Sequence, residues 1–286
     1  MTRLYIPPTV NHFARSLGKG FSLAVSTSGA KCFLKCRHCS GRTLEPMIQS
    51  IDRAQELVEA VQEYPRMLLV SGGCDLCGRL LISSRALELI KLATRHGFRV
   101  AVHCGVAEWS RLAVLRDVGT DIAMMDLCLD ELTLTRVRPS PLLHPESILN
   151  TIELAKRIGL RVVPHIVIGE DCGRSGPEYE AIEVLTTVSV DQVVIVVFTP
   201  LPDTPYQHCP PPPQSACISV LRYALTRLST KVSLGCMRPR EYIDLELYAI
   251  DSGIDAVANP SSKAVYEGCR RGLEILNLCC SYESLL

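Results

Sequence analysis

Aromatic side chains are scarce in this 286-residue chain, at 5% with one tryptophan, and neither sign of charge prevails, since Lys+Arg and Asp+Glu both number 30. Balanced charge removes the basic footprint that a nucleic-acid partner requires. No uninterrupted apolar run approaches the roughly 20 residues that a membrane-crossing helix needs. The stretch MTRLYIPPTVNHFARSL lacks the apolar core of a secretory signal. These absences predict a cytoplasmic chain with no nucleic-acid and no membrane partner. No linker-like shift in composition divides the sequence, which reads as one domain over 1–286 with short terminal extensions. The run Pro210 to Pro213 stiffens a loop within it.

What the chain has in abundance is cysteine, with 14 residues, alongside 47% apolar content, enough for a large core. A small secreted scaffold would use such a count for disulfides, but this chain is long and is expected in a reducing compartment, where thiols serve metals.

Short β-branched runs alternate with amphipathic segments from about residue 21 onward. FSLAVST, RMLLVSG, FRVAVHC, DIAMMDL, RVVPHIVIG, DQVVIVVF, KVSLGC and GIDAVAN read as parallel strands buried on both faces. IDRAQELVEAVQEY, SSRALELIKLATRHG and ESILNTIELAKRIG read as helices between them. Gly97, Gly119, Gly159 and Gly253 fall where helix ends need a left-handed residue. The count predicts an α/β fold, a (β/α)8 barrel of the TIM type, with a doubly wound open sheet as the alternative.

Most cysteines follow strands. Cys32, Cys36 and Cys39 follow the first; Cys74 and Cys77 the second; Cys104 the third; Cys128 the fourth; Cys172 the fifth; and Cys236 the seventh. In a barrel these strand ends share the face on which active sites are built. A free cysteine is often only a small buried hydrophobe, and Cys217 and Cys269, inside helical segments, read that way. The stretch KCFLKCRHCS carries a C-x3-C-x2-C spacing. Structural zinc takes four ligands, usually as two pairs. An iron–sulfur cube closed by three thiolates leaves one iron open to a small molecule, whereas an electron-transfer cluster takes a fourth cysteine.

This spacing after a first barrel strand resembles the radical S-adenosylmethionine (SAM) superfamily. The resemblance implies a barrel of the radical SAM kind and a [4Fe–4S] cluster on Cys32, Cys36 and Cys39. The open iron would chelate SAM, and an electron would cleave it to a 5′-deoxyadenosyl radical. Ser71, Gly72 and Gly73 match the Gly-rich turn that meets the SAM amino group, and His38 matches the position beside adenine. Asp130 resembles a ribose-hydroxyl acceptor, although a helix-capping Asp reads equally well. HIVIGE resembles the fifth-strand element that packs on adenine, through Ile166 or Ile168 and Gly169, with a departure in glycine spacing.

The segment from Lys231 to Gly268, with SGGCDLCGR and VVPHIVIG, resembles the biotin-synthase-related branch, which includes the paired subunits of the two-protein lipoyl synthase of archaea and some bacteria. The resemblance implies a sulfurtransferase that inserts sulfur into an unactivated C–H bond of a protein-bound octanoyl chain. A second, auxiliary iron–sulfur cluster would supply the sulfur, with Cys74, Cys77, Cys104 and Cys236 as its ligands. Cys128, Cys172, Cys279 and Cys280 are the competing set; in CCSY only Ser281 and Tyr282 match the Arg-Ser-Ser-Tyr ending of single-protein lipoyl synthases. The partners implied are an octanoylated lipoyl carrier protein or domain, a second radical SAM subunit, and a ferredoxin- or flavodoxin-type electron donor. The runners-up are another radical reaction such as cofactor maturation, and a non-catalytic iron–sulfur carrier.

Overall fold

The computed structural model describes residues 1–6 and 17–286. Among the described residues ten strands form one sheet, all parallel, in the order β10-β1-β9-β8-β7-β6-β5-β4-β3-β2. The eight expected strands are β2 (Phe21–Ser26), β3 (Arg66–Ser71), β4 (Arg99–His103), β5 (Ile122–Asp126), β6 (Arg161–Ile168), β7 (Gln192–Val197), β8 (Lys231–Leu234) and β9 (Ala256–Ala258). Two three-residue strands complete the sheet, β1 (Arg3–Tyr5) and β10 (Glu274–Leu276). They are too short to show a period in the sequence. Their pairing is instead fixed by neighbours far away in the chain, with Leu4 opposite both Val257 and Ile275.

The sheet curls until its edges meet at the N-terminal end, where Lys19 bridges Leu276 and the Asn277 amide donates to the Lys19 carbonyl at 2.7 Å. The strand period of two sorts the side chains of the curled sheet. Met67, Ala101, Met124, Val163, Val194 and Ala258 form one inner core drawn from six strands. Leu68, Val100, Val102, Ile166, Ile195 and Leu234 pack outward against the helices.

The helices covering the outside are α1 (Ile51–Ala60), α2 (Ser84–Arg95), α3 (Trp109–Asp117), α4 (Glu131–Val137), α5 (Pro145–Ile158), α6 (Pro177–Leu185), α7 (Gln214–Arg227), α8 (Ile243–Asp251) and α9 (Ser262–Arg270). Ser50, Ser83 and Ser261 begin α1, α2 and α9 by accepting the amide three residues on. Pro145 and Pro177 open α5 and α6, where no amide donor is needed. Gly159 ends α5 at φ 84°, as the helix pattern anticipates. No helix of the described residues is long and apolar enough to cross a membrane.

The N-terminal end of the barrel is plugged from inside by a short 3-10 helix, Cys280–Leu285. Its Glu283, 2% exposed, accepts from Tyr5 Oη and Arg3 Nη1, both at 2.8 Å. The Lys231 ammonium and the Gln192 amide hold the plug's backbone, donating to the carbonyls of Glu283 at 2.9 Å and Cys280 at 3.0 Å. A buried carboxylate paired this way is costly to disturb, so the plug is a fixed part of the barrel.

One disulfide, Cys172–Cys209, joins the loop after β6 to the proline-rich connection after β7. The reducing-compartment reading expects free thiols here. The two loops meet on the C-terminal rim, which brings the Cα atoms to 5.1 Å, a spacing a disulfide spans.

Candidate active site

The loop after β2 is held by its own short polar side chains. Ser26 Oγ donates to the Gly29 carbonyl at 2.6 Å, Thr27 Oγ1 to Leu81 at 2.6 Å and Ser28 Oγ to Lys31 at 2.8 Å. Ser28 Oγ in turn accepts from the Gly73 amide at 2.7 Å. These bonds place Cys32 against the end of β3, where its Sγ accepts from the Cys74 amide at 3.3 Å. Gly73 permits this approach. A Cβ there would lie 1.8 Å from the Lys31 carbonyl oxygen and 2.6 Å from Cys32 Cα. The second half of the loop turns tightly, with the amides of Cys39 and Ser40 donating to the Cys36 carbonyl at 3.1 and 2.8 Å. The Arg37 amide is anchored on the Val137 carbonyl at 2.8 Å.

Cys32, Cys36 and Cys39 thereby line one cavity of about 310 Å3 at the C-terminal end of the barrel. The Cys36 thiol, and then His38, pull the Cys39 pKa down, while Cys39 and burial drive that of Cys36 up. No three His, Cys, Asp or Glu side chains among the described residues converge as a single metal ion would require. His38 also faces the cavity, beside Glu170 at 3.7 Å, and Glu170 pairs with Arg138 at 2.5 Å. Burial alone would lower the His38 pKa, but Cys39 and Glu170 outweigh it and raise it. Arg138 Nη1 and His38 Nδ1 are buried without a hydrogen-bond partner, an incomplete polar network of the kind a bound polar group completes.

Three more polar side chains stand on the wall. His103 and Asp126 lie at the last inward positions of β4 and β5, and His165 lies opposite Asp126 on β6, with Asp126 3.5 Å from His103 and the two rings 5.3 Å apart. Burial raises the Asp126 pKa, yet His103, Arg138 and His165 outweigh it and hold the carboxyl well below its usual range. Burial, and then His103, push His165 down to about 4, so its ring is neutral at pH 7. The remaining wall is largely apolar, with Leu69, Met124, Val167, Val194, Val196 and Met237.

Of the other expected site residues, Ser71, Gly72 and Cys74 line the cavity, as does Cys236. Gly73 sits just behind it, packed on the cysteine loop. Cys279 and Cys280 enter from the plug. Cys280 and then Ser281, whose Oγ donates to Cys279 Sγ at 3.3 Å, pull the Cys279 pKa down while that of Cys280 rises.

Several expected residues lie elsewhere. Cys77 faces an outer hollow with Phe33, Leu76 and Leu142, so it does not pair with Cys74 across the cavity. Cys104, one residue past inward-facing His103, turns to the helix side, with its thiol on the Met124 carbonyl at 3.4 Å. Burial raises its pKa to about 12. Asp130 caps α4, accepting from the Thr133 amide at 2.6 Å. Ile166 packs outward, and its neighbours His165 and Val167 face the cavity instead. Gly169 lies against Pro212, outside the cavity lining. Cys128 is buried on the helix side, and Cys172 is in the disulfide. The His103, Asp126 and His165 group was not anticipated. Strand parity, counted from the inward Ala101, Met124 and Val163, would have exposed it.

No family model matches the sequence, and no curated protein matches it. Solved structures match in fold. Methylornithine synthase (PylB) aligns at TM-score 0.68 and 15% identity over 96% of this chain and 88% of its own. HydG, a maturase of the [FeFe]-hydrogenase, aligns at 0.66 and 15% over 99% of this chain and 66% of its own. Streptococcus suis SuiB aligns at 0.61 and 11% over 93% of this chain and 61% of its own. At such identities the likeness establishes the fold, a curled α/β barrel shared with these enzymes.

Proposed function

We propose that this chain is a radical SAM enzyme, a sulfurtransferase that inserts sulfur into an unactivated C–H bond of a protein-bound octanoyl chain as one component of a two-protein lipoyl synthase. The observation that carries the radical SAM reading is the convergence of Cys32, Cys36 and Cys39 from one loop onto the cavity at the strand ends. The donor set fits the cofactor: three soft thiolates suit iron–sulfur chemistry. The close packing at Gly73, and Arg138 Nη1 and His38 Nδ1 buried without hydrogen bonds beside the loop, fit a small polar ligand. SuiB, of the same fold, has been solved with SAM bound, at TM-score 0.56.

When bound, a [4Fe–4S] cluster with SAM supplies a 5′-deoxyadenosyl radical, and an auxiliary iron–sulfur cluster supplies sulfur. The chain's own residues hold and orient these groups. Cys32, Cys36 and Cys39 ligate the first cluster, and Ser71, Gly72 and Gly73 shape the turn against it. Arg138, fixed by Glu170, offers a cationic donor to an acidic group. The wall of Leu69, Met124, Val167, Val194 and Val196 takes an alkyl chain and excludes water, which protects a reactive species from quenching. Cys236, Cys279 and Cys280 share this cavity and are the proposed auxiliary ligands, ahead of Cys77 and Cys104, which face away from it. The partners follow: an octanoylated carrier protein or domain, a second radical SAM subunit, and a ferredoxin- or flavodoxin-type donor in the cytoplasm, with residues 1–286 acting as one barrel domain.

A second reading, a radical rearrangement of a polar substrate, is favoured by the His103, Asp126 and His165 group on an otherwise apolar wall. The test is to mix reduced, iron-loaded protein and SAM with an octanoylated carrier peptide, then measure 5′-deoxyadenosine together with the peptide's mass. Thiolated peptide supports sulfur insertion. 5′-Deoxyadenosine without thiolation supports the second reading or cofactor maturation. Neither product leaves a non-catalytic carrier.

A further inference from the structure

The loop that carries the three cysteines has two faces. Cys32, Leu34, Cys36 and His38 line the cavity. Lys31, Phe33, Lys35 and Arg37, which alternate with them in sequence, are absent from that lining and exposed, Phe33 by 59%. The neighbouring cations are all neutralised: Arg42 by Glu45 and Asp203, Arg79 by Asp75 and Glu108, Arg136 and Arg174 by Asp171. Lys31, Lys35 and Arg37 make no ion pair among the described residues. In a chain with 30 charges of each sign, three unpaired cations within seven residues form a local positive field. Beside them Phe33, Leu76 and Leu142, the last two 49% and 54% exposed, line a shallow hollow. Apolar anchors with a charged rim are the anatomy of a protein-docking surface.

We propose that the outer face of this loop, with the Phe33 hollow, is the docking surface for an acidic one-electron carrier protein. The proposal rests on the cluster reading above and goes beyond it by assigning the surface. Substrate must enter the cavity, which the inner face lines. An electron needs only to reach the cysteine-held cluster, and Cys32 and Cys36 are each flanked in sequence by two of the exposed residues. In the transfer one electron leaves the reduced carrier and enters the iron–sulfur cluster. The carrier is oxidised by one electron, and no bond or proton moves. Three cations beside an apolar hollow suit an acidic protein better than a nucleic acid, whose backbone needs a longer basic track.

The test uses the iron-loaded protein and an acidic ferredoxin. Affinity for the oxidised ferredoxin is measured by calorimetry at low and high salt, and cluster reduction by reduced ferredoxin is followed by stopped flow. Reduced methyl viologen, a small donor that needs no docking, serves as control. In Lys31→Glu/Lys35→Glu the affinity falls about tenfold or more at low salt, because like charges now face each other, and high salt narrows the gap. Reduction by ferredoxin slows by a similar factor, whereas reduction by methyl viologen and the iron content stay unchanged. The neutral Lys31→Gln/Lys35→Gln gives an intermediate loss and stands in if charge reversal impairs folding. Phe33→Ser weakens binding at both salt concentrations. Equal affinity and equal ferredoxin-driven reduction in wild type and the variants would overturn the proposal, as would ferredoxin binding that salt leaves untouched. Affinity is read without turnover, so a protein that binds ferredoxin through this face yet cleaves no SAM refutes the functional reading and not the surface.

Discussion

Gly73→Ala introduces one methyl group at the point where β3 meets the cysteine loop. The new Cβ would stand 1.8 Å from the Lys31 carbonyl oxygen, while ordinary contact begins at 3.4 Å, so the atoms must separate by 3.4 − 1.8 = 1.6 Å. Both nearest obstacles, Lys31 O and Cys32 Cα, are backbone, and no rotamer change relieves them. The loop itself must retreat and carry Cys32 with it. Overpacking of this kind costs about 1–3 kcal/mol, a fall in Tm of roughly 2–12 °C at roughly 2–4 °C per kcal/mol for a chain of this size. The functional loss is larger, because a misplacement of about 1 Å at a reacting site lowers rates about a hundredfold. Iron content after anaerobic reconstitution, 5′-deoxyadenosine yield and Tm are measured together. Gly253→Ala is the control: no heavy atom lies within 4 Å, and only the φ of +73° is strained, costing about 1 kcal/mol. It lowers Tm slightly and leaves iron and activity intact. A Gly73→Ala protein with full iron and wild-type SAM cleavage would refute the packing argument.

If Cys236, Cys279 and Cys280 hold the proposed auxiliary cluster, replacing them together by Ala lowers the iron content below that of the wild type and abolishes thiolation while SAM cleavage persists. Retained thiolation would turn attention to Cys74. His165 contributes a pH-dependent term: its unfolded ring takes a proton near 6.5 and its folded ring only near 4, so acid favours the unfolded chain. That stability is complete above pH 6.5 and is lost as pH falls toward 4. His165→Gln flattens denaturant midpoints across this window, and an unaltered slope would contradict the assignment. Arg238, 2% exposed, donates to Glu246 and to the carbonyls of Gly235, Ala258 and Asn259, fixing the strand ends around Cys236. Glu246→Gln leaves the buried guanidinium without its counter-charge and costs about 3–5 kcal/mol in chemical denaturation, whereas Arg238→Met with Glu246→Leu recovers most of the loss.

Eight strands were legible because each lies in a short, mostly apolar run between helical segments, including the three-residue β9 within GIDAVAN, and strands buried on both faces need such runs. β1 and β10 were not, since RLY and EIL stand outside the strand–helix alternation and their partners lie far away in the chain. Within the site, the C-x3-C-x2-C loop and the Ser71–Gly73 turn were visible as local patterns, which the fold brings together unchanged. The side-chain directions at strand ends were harder to read. Cys104 and Ile166 each miss the cavity by one residue, because the strand period of two sends His103, His165 and Val167 inward. Cys279 and Cys280 face the cavity only because Glu283 anchors the plug beneath the barrel, through Tyr5, Arg3 and Lys231. No local pattern near CCSY encodes that anchor.

The most direct test is the variant with Cys32, Cys36 and Cys39 all replaced by Ala, reconstituted anaerobically beside the wild type, with iron, Mössbauer spectrum and 5′-deoxyadenosine measured on the same samples. The variant is expected to lose about four irons per chain, the content of one [4Fe–4S] cube, and to form no 5′-deoxyadenosine, while its Tm shows that the barrel is folded. A folded variant that still cleaves SAM would contradict the radical SAM reading.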